Sequence, residues 1–156
     1  MIPSKKLLCL VAIGIGCAIP VAALAGKCAG TNINNLVSWD QTEIAKGTTH
    51  ATLRVMSVTV NDDPSAPSHL VSGEYVGVCM MTPDGKTKCS GTCARADKDG
   101  DVLSEEWIST NDTGDKGTWR NTGGTGKFAG ATNSGQWEVH KLQGKATAVR
   151  WTGSCQ

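Results

Sequence analysis

The carboxyl group of Glu105 is the best candidate for chemistry in this sequence. It lies in a predicted strand, where side chains alternate between two faces. Leu103, Glu105 and Trp107 share one face, and we expect that face to point inward because tryptophan is its largest group. A carboxyl group in apolar surroundings has a raised pKa unless a cation or donor meets it, so Glu105 could orient a ligand or act in acid–base chemistry. The alternative is a hydrated rim position, or a structural pair with Arg54 or Arg95.

Tryptophan supplies five of the seven aromatic residues. Large indoles around a small barrel can line an apolar cavity, and each offers one N–H donor. Trp151 and Val149 share one face of a predicted strand, which we expect to point inward. The predicted ligand-binding residues are Trp107, Trp119, Trp137, Trp151, Leu103 and Val149. The alternative is that these indoles only fill the core.

Three alternating aspartates, Asp97, Asp99 and Asp101, raise the question of a calcium site. An EF-hand loop needs glycine at its sixth position and glutamate at its twelfth, where this chain has Val102 and Ile108. The Asp-Gly pair within the segment favours a hairpin turn instead. There is also no nucleophile motif and no phosphate loop followed by a helix. We therefore expect neither a metal nor a cofactor, with the aspartates as the weak alternative.

A hairpin is predicted around the sequence Thr-Pro-Asp-Gly-Lys at 82–86. Proline, aspartate and glycine in this order suit a type I turn closed by a left-handed glycine. Counting outward from the turn places Cys79 opposite Cys89, within reach of a disulfide. A Cys79–Cys93 bond is the main competitor. A zinc site at Cys89 and Cys93 would lack a second ligand pair at the usual spacing.

The first 25 residues have the features of a secretory signal peptide. Lys5 and Lys6 precede the apolar run 7–24, and Ala-Leu-Ala at 23–25 is a small-x-small cleavage site. A membrane anchor and a lipoprotein site at Cys17 are the alternatives. We expect a signal peptide at 1–25, a mature domain at 26–156, export to the periplasm or the extracellular space, and no membrane span after cleavage. Export favours disulfides, and five mature cysteines leave one thiol unpaired.

Short segments with turn signals between them predict an all-β fold from residue 28 onward. The predicted strands are 29–38, 50–60, 70–81, 87–96, 101–110, 117–121, 133–141 and 146–155. Eight strands suffice to close a small antiparallel barrel. Its first and last strands would be neighbours, which favours a Cys28–Cys155 bond. The formal net charge of +1 argues against a nucleic-acid partner.

Glycines are dense in the segment 117–137, which we predict to be a corner that closes one end of the barrel, with Phe128 as its apolar plug. A short helical turn is expected at 127–131. The sequence Gly-Gly-Thr-Gly-Lys-Phe-Ala-Gly-Ala at 123–131 resembles the glycine-rich motif of dirigent proteins and allene oxide cyclases, and of exported bacterial proteins with the same barrel. The resemblance extends loosely through Trp137 and the closing segment 150–155. It implies an eight-stranded antiparallel barrel with an apolar cavity, and it transfers no catalytic residue.

Three functions agree with these observations. The first is binding of a small apolar molecule in a tryptophan-lined cavity. The second is a cyclase or isomerase that folds a hydrophobic substrate inside the barrel, where enclosure lowers an entropic barrier and Glu105 handles a proton. The third is a structural or protein-interaction domain with a filled core.

Overall fold

The computed structural model describes residues 26–155, which form a closed antiparallel β-barrel of eight strands. The strands are β1 (Gly26–Ala45), β2 (Thr48–Asn61), β3 (Ser72–Met81), β4 (Thr87–Ala96), β5 (Val102–Ser109), β6 (Lys116–Gly124), β7 (Ser134–Lys141) and β8 (Ala146–Cys155). Each strand pairs with the next along the chain, and β8 pairs with β1 to close the barrel. The predicted fold class is confirmed. The predicted signal peptide lies outside the described residues.

Strand β1 is much longer than predicted, because it continues through residues 39–45. These residues are exposed, and most are polar, so no alternation of apolar and polar residues marks them as a strand. They pair with the first part of β2, as in the pair Thr42 and His50. Irregular pairing on either side of Val37 shifts the alternation by one residue and turns Trp39 toward the barrel interior.

The hairpin between β3 and β4 has the predicted turn and register. Gly85 has a φ of 81°, and its N–H donates to the carbonyl oxygen of Thr82 at 2.9 Å. Cys79 lies opposite Cys89. Glycine adopts this positive φ without the steric cost of a Cβ atom, which explains why the local sequence sets the turn.

Two disulfides join the pairs that the sequence favoured. Cys28 on β1 bonds to Cys155 on β8, with Cα atoms 5.8 Å apart, and Cys79 bonds to Cys89. The fifth cysteine of residues 26–155, Cys93, keeps a free thiol buried inside the barrel. The competing Cys79–Cys93 bond is therefore excluded.

The glycine-rich corner between β6 and β7 closes one end of the barrel. Phe128 is 5% exposed and packs with Val71 and Leu103 in a small apolar cluster, with Ala131 against its side. A 3-10 helix at Gly126–Phe128 carries this phenylalanine, slightly earlier than the predicted helical turn. The plug predicted for this end is confirmed.

Candidate functional site

A cavity of about 580 Å³ occupies the interior of the barrel above the apolar plug. Its mouth lies at the opposite end, where the loops between β5 and β6 and between β7 and β8 border it. Exposed residues of those loops, such as Thr113 and Leu142, line this rim. The volume falls within the range of about 300–1,000 Å³ that is usual for small-molecule sites.

Four indoles form one wall of the cavity. Trp107 and Trp137 meet edge to face with ring centroids 6.1 Å apart, and Trp119 and Trp151 do so at 5.7 Å. Edge-to-face contact is a favoured geometry for aromatic pairs and holds each ring in place. Aliphatic residues of β1, β2, β7 and β8 complete the apolar lining: Leu36, Leu53, Val55, Val139 and Val149.

Glycines on neighbouring strands let these indoles lie flat against the barrel wall. A Cβ atom on Gly30 would lie 2.4 Å from Cζ2 of Trp151, and one on Gly117 would lie 2.4 Å from Cζ2 of Trp137. Such distances are far inside van der Waals contact. The glycines therefore keep the centre of the barrel free of indole rings, which leaves space for a guest.

A polar cluster forms the floor of the cavity, between the indole wall and the apolar plug. At its centre, Nη2 of Arg95 donates to Oε2 of Glu105 at 2.5 Å, and Nη1 donates to Oγ1 of Thr59 at 2.6 Å. The guanidinium also lies 5.5 Å from the ring centre of Tyr75. The amide of Asn32 donates to the Tyr75 hydroxyl at 2.7 Å, and that hydroxyl donates to Oε1 of Glu105 at 3.4 Å.

Burial dominates the electrostatics of this floor. Burial raises the pKa of Glu105, and the Arg95 guanidinium opposes that shift. Burial likewise raises the pKa of Tyr75 well above its ordinary value, and it raises the pKa of the Cys93 thiol to about 12. Tyr75 and Cys93 therefore stay protonated near neutral pH, and the Cys93 thiol is a poor nucleophile.

Several polar atoms of the cavity lining have no hydrogen-bond partner among the described residues. On the floor these include Oδ1 of Asn32, Nε of Arg95 and Nδ2 of Asn121. On the wall they are the indole Nε1 atoms of Trp107, Trp119 and Trp151. Buried polar groups are usually paired, so such a concentration in one cavity calls for a functional explanation.

The structure brings all six predicted ligand-binding residues to the cavity lining, and Glu105 with them. The inward orientation expected for Leu103, Glu105 and Trp107 is confirmed. Whether these residues bind a ligand stays a prediction. Of the two arginines considered for Glu105, Arg95 is the partner, because Arg54 pairs with Glu74 on the outer face.

Four floor residues were not identified from the sequence: Asn32, Thr59, Tyr75 and Asn121. For some of them, the alternation of inward and outward side chains along a strand indicated an inward position. Tyr75, for example, lies four residues from Cys79 on the inward face of β3. In the sequence, a polar side chain on the inward face of a strand cannot be distinguished from one at the hydrated rim of a barrel. Only the register between strands brings these residues to the same height along the barrel axis.

The three aspartates between β4 and β5 form a turn rather than a cation site. Oδ1 of Asp97 accepts the N–H groups of Asp99 and Asp101 at 2.8 and 2.9 Å. The ammonium of Lys127 pairs with Oδ2 of Asp97, and the Lys127 N–H donates to Oδ2 of Asp101 at 3.1 Å. A lysine thus supplies the positive charge here, and within residues 26–155 no cluster of acidic, histidine or cysteine side chains has the geometry of a metal site.

Within the described barrel, no helix has the length and hydropathy to cross a membrane. No protein-family model and no curated protein matches this chain by sequence.

Solved structures do resemble the barrel. A pterocarpan synthase dirigent protein superposes with a TM-score of 0.51 and 14% identity, over 96% of this chain and 95% of that chain. A protein of unknown function from Clostridium acetobutylicum superposes with a TM-score of 0.58 and 8% identity, over 83% of this chain and 97% of that chain. At such identities the likeness shows the fold alone. The chain is therefore an eight-stranded barrel of the kind found in dirigent proteins.

Proposed function

We propose that this protein binds a small apolar molecule in the central cavity of its barrel. The observation that carries the proposal is a lumen of about 580 Å³ with one wall of four indoles and an aliphatic wall beside it. Burial of apolar ligand surface contributes roughly 25 cal/mol per Å², so such a lumen favours apolar guests. The dirigent protein with a similar barrel is described as a pterocarpan synthase, which agrees with a barrel that holds small organic molecules.

The alternative of a cyclase or isomerase receives less support from the site. Glu105 was the candidate for proton transfer, and its carboxylate is paired with Arg95 and with the Tyr75 hydroxyl. A general acid or base must reach the proton it transfers, and both oxygens of Glu105 already have partners. The alternative of a filled core conflicts with the size of the cavity.

Titration with a neutral fluorescent probe, N-phenyl-1-naphthylamine, tests the proposal. We expect saturable binding of one probe per barrel, with quenching of tryptophan fluorescence. Val55→Trp places a large ring in the lumen and should weaken binding by about tenfold or more. Val58→Trp is the matched control, because Val58 lies on the same strand and is exposed on the outer face.

Two outcomes would contradict a binding function. One is the absence of saturable binding by the wild-type protein. The other is equal affinity in the wild type and the Val55→Trp variant, which would place the probe outside the lumen.

We also propose that the protein is exported. Two disulfides agree with an oxidising compartment, and the features of residues 1–25 agree with a cleaved signal peptide. Mass spectrometry of protein secreted by its host should find a mature chain that begins at Gly26 with both disulfides formed. An intact chain that begins at Met1, recovered from the cytoplasm with reduced cysteines, would contradict export.

A further inference from the structure

The second half of β1 has one edge that no neighbouring strand covers. Strand β8 pairs with β1 only as far as Asn35, whereas β2 pairs with it as far as Ala45. The last backbone hydrogen bond on the β8 side runs from the Leu36 N–H to the carbonyl oxygen of Lys145 at 3.3 Å. Residues 39–45 are exposed, and β1 contacts no described element apart from β2 and β8. We call residues 39–45 the free edge of β1.

The backbone of the free edge presents hydrogen-bonding groups to solvent. Pairing with β2 is regular from Ser38 to Glu43, between the two register shifts at Val37 and Ile44. In an antiparallel strand, every second residue directs both its N–H and its C=O toward the same neighbour. Alternate residues of this stretch therefore direct both groups away from β2. Such a row is a template for one more strand, and extended peptides bind sheet edges in this way.

The side chains of the free edge restrict what can pair with it. Natural edge strands are commonly protected by lysine or proline, and residues 39–45 contain neither. Asp40 and Glu43 are the charged residues of the free edge, and neither forms an ion pair within residues 26–155. Two copies of this edge would bring four carboxylates together, which disfavours self-pairing. A partner strand with basic side chains would compensate the two carboxylates instead.

The alternation of side chains sets the spacing of those basic groups. Asp40 pairs with the exposed Thr52 on the outer face, and Glu43 follows three residues later on the opposite face. In an added antiparallel strand, the residues opposite Glu43 and Asp40 are also three positions apart. The next residue of that strand lies opposite Trp39, which is 39% exposed. Aromatic and β-branched side chains pair well with an indole across two antiparallel strands.

We propose that the free edge of β1 binds an extended segment of a partner protein as an added antiparallel strand. The segment carries lysine or arginine at two positions three residues apart, followed directly by a β-branched or aromatic residue. It occupies the place that β8 would have if β8 began several residues earlier. The inference is independent of the proposed binding function, because the free edge stands whether the lumen is empty or filled.

Fluorescence anisotropy with dye-labelled peptides tests the proposal on the disulfide-bonded protein. The basic probe has the sequence Val-Lys-Thr-Thr-Lys-Val-Thr, which places its lysines opposite Glu43 and Asp40. We expect saturable binding of this probe by the wild-type protein. A peptide with glutamate in place of both lysines should bind about tenfold more weakly or less, because two attractive charge pairs become repulsive.

N-methylation of the probe backbone separates strand addition from simple attraction between charges. Methylation removes an N–H donor and leaves the peptide charge unchanged. An added strand pairs with the free edge through the N–H groups of alternate residues. Two basic probes are therefore methylated on the two alternating sets of residues. One of them should lose affinity by about tenfold or more, and the other should bind like the parent peptide.

Replacement of the two carboxylates tests the charge of the edge without a change in side-chain size. Asp40→Asn with Glu43→Gln should weaken binding of the basic probe by about fivefold, since exposed ion pairs are individually weak. Asp99→Asn with Glu106→Gln is the matched control. It changes the net charge by the same amount at exposed positions away from the free edge, and it should leave the affinity unchanged.

Amide hydrogen exchange locates the bound peptide. In the complex with the basic probe, exchange should slow at alternate residues of the stretch 39–43. Absence of saturable binding would overturn the proposal, and so would equal binding of both methylated probes, which shows that charge alone attracts them. Equal weakening by the control variant would also contradict it. If the same amides become protected in the wild-type protein alone as its concentration rises, the occupant is a second copy and the proposed partner is wrong.

Discussion

Replacement of Arg95 by methionine should leave the buried charge of Glu105 without a compensating cation. Arg95 and Glu105 are 4% and 7% exposed, and the ion pair between them is shielded from solvent. Removal of one partner of a buried pair leaves the other charge without compensation, which typically costs about 3–5 kcal/mol. We expect Arg95→Met to lower the free energy of unfolding by that amount at neutral pH.

The loss of unfolding free energy in Arg95→Met should be larger at neutral pH than at acidic pH. Burial raises the folded-state pKa of Glu105, and loss of the Arg95 charge that opposes this shift raises it further. A carboxyl group whose pKa is higher in the folded protein than in the unfolded chain adds most to the free energy of unfolding when it is protonated in both states, below its unfolded pKa of about 4.3. That contribution is lost as pH rises through the folded-state pKa. Near pH 4 the deficit of Arg95→Met should therefore shrink to about 1 kcal/mol, the value of the lost hydrogen bond to Thr59.

Urea denaturation of the disulfide-bonded protein, from about pH 4 to about pH 8, measures both the stability loss at neutral pH and its change with pH. The double variant Arg95→Met with Glu105→Gln is the control, because it removes both charges. It should recover most of the stability at neutral pH and should lose the pH dependence. A deficit for Arg95→Met below about 1 kcal/mol at neutral pH, or one that does not change with pH, would refute the buried ion pair.

Two further predictions concern the stability of the barrel. Loss of the Cys28–Cys155 bond, with a sequence separation of 127, should cost about 5 kcal/mol in the loop-entropy model, against about 3 kcal/mol for Cys79–Cys89 with a separation of 10. Thermal unfolding of the two double cysteine-to-alanine variants compares them, and the reverse order would contradict that model. Leu70 is 61% exposed with a φ of 62°, so Leu70→Asn should raise the free energy of unfolding by about 0.5–1 kcal/mol. A lower melting temperature for that variant would show that the leucine side chain has a stabilising contact.

Features that depend on neighbouring residues could be predicted from the sequence. The order Pro-Asp-Gly at 83–85 sets a turn, and the turn sets the register that places Cys79 opposite Cys89. Alternation within β5 placed Glu105 and Trp107 on one face. Local rules failed for the second half of β1, where exposed polar residues form a strand only because β2 pairs with them.

The floor of the cavity could not be predicted in the same way. Its residues come from β1 to β6, and their meeting depends on the stagger of the strands around the barrel. Arg54 and Arg95 were equal candidates as partners of Glu105 in the sequence. The register between β2 and β3 places Arg54 beside Glu74 on the outer face, whereas β4 turns Arg95 inward.

The sequence by itself determined the class of fold and the number of strands and favoured both disulfides over the Cys79–Cys93 alternative, because turn chemistry and alternation act over a few residues. Eight such strands close with the first and last strands adjacent. The tertiary structure alone decided that the indoles lie against glycines and leave a cavity, and that an ion pair of zero net charge lies at its base beside two amide side chains that each have one atom without a partner. The physical reason is distance along the chain: these contacts join strands far apart in sequence, and only closure of the barrel fixes which side chains share one level.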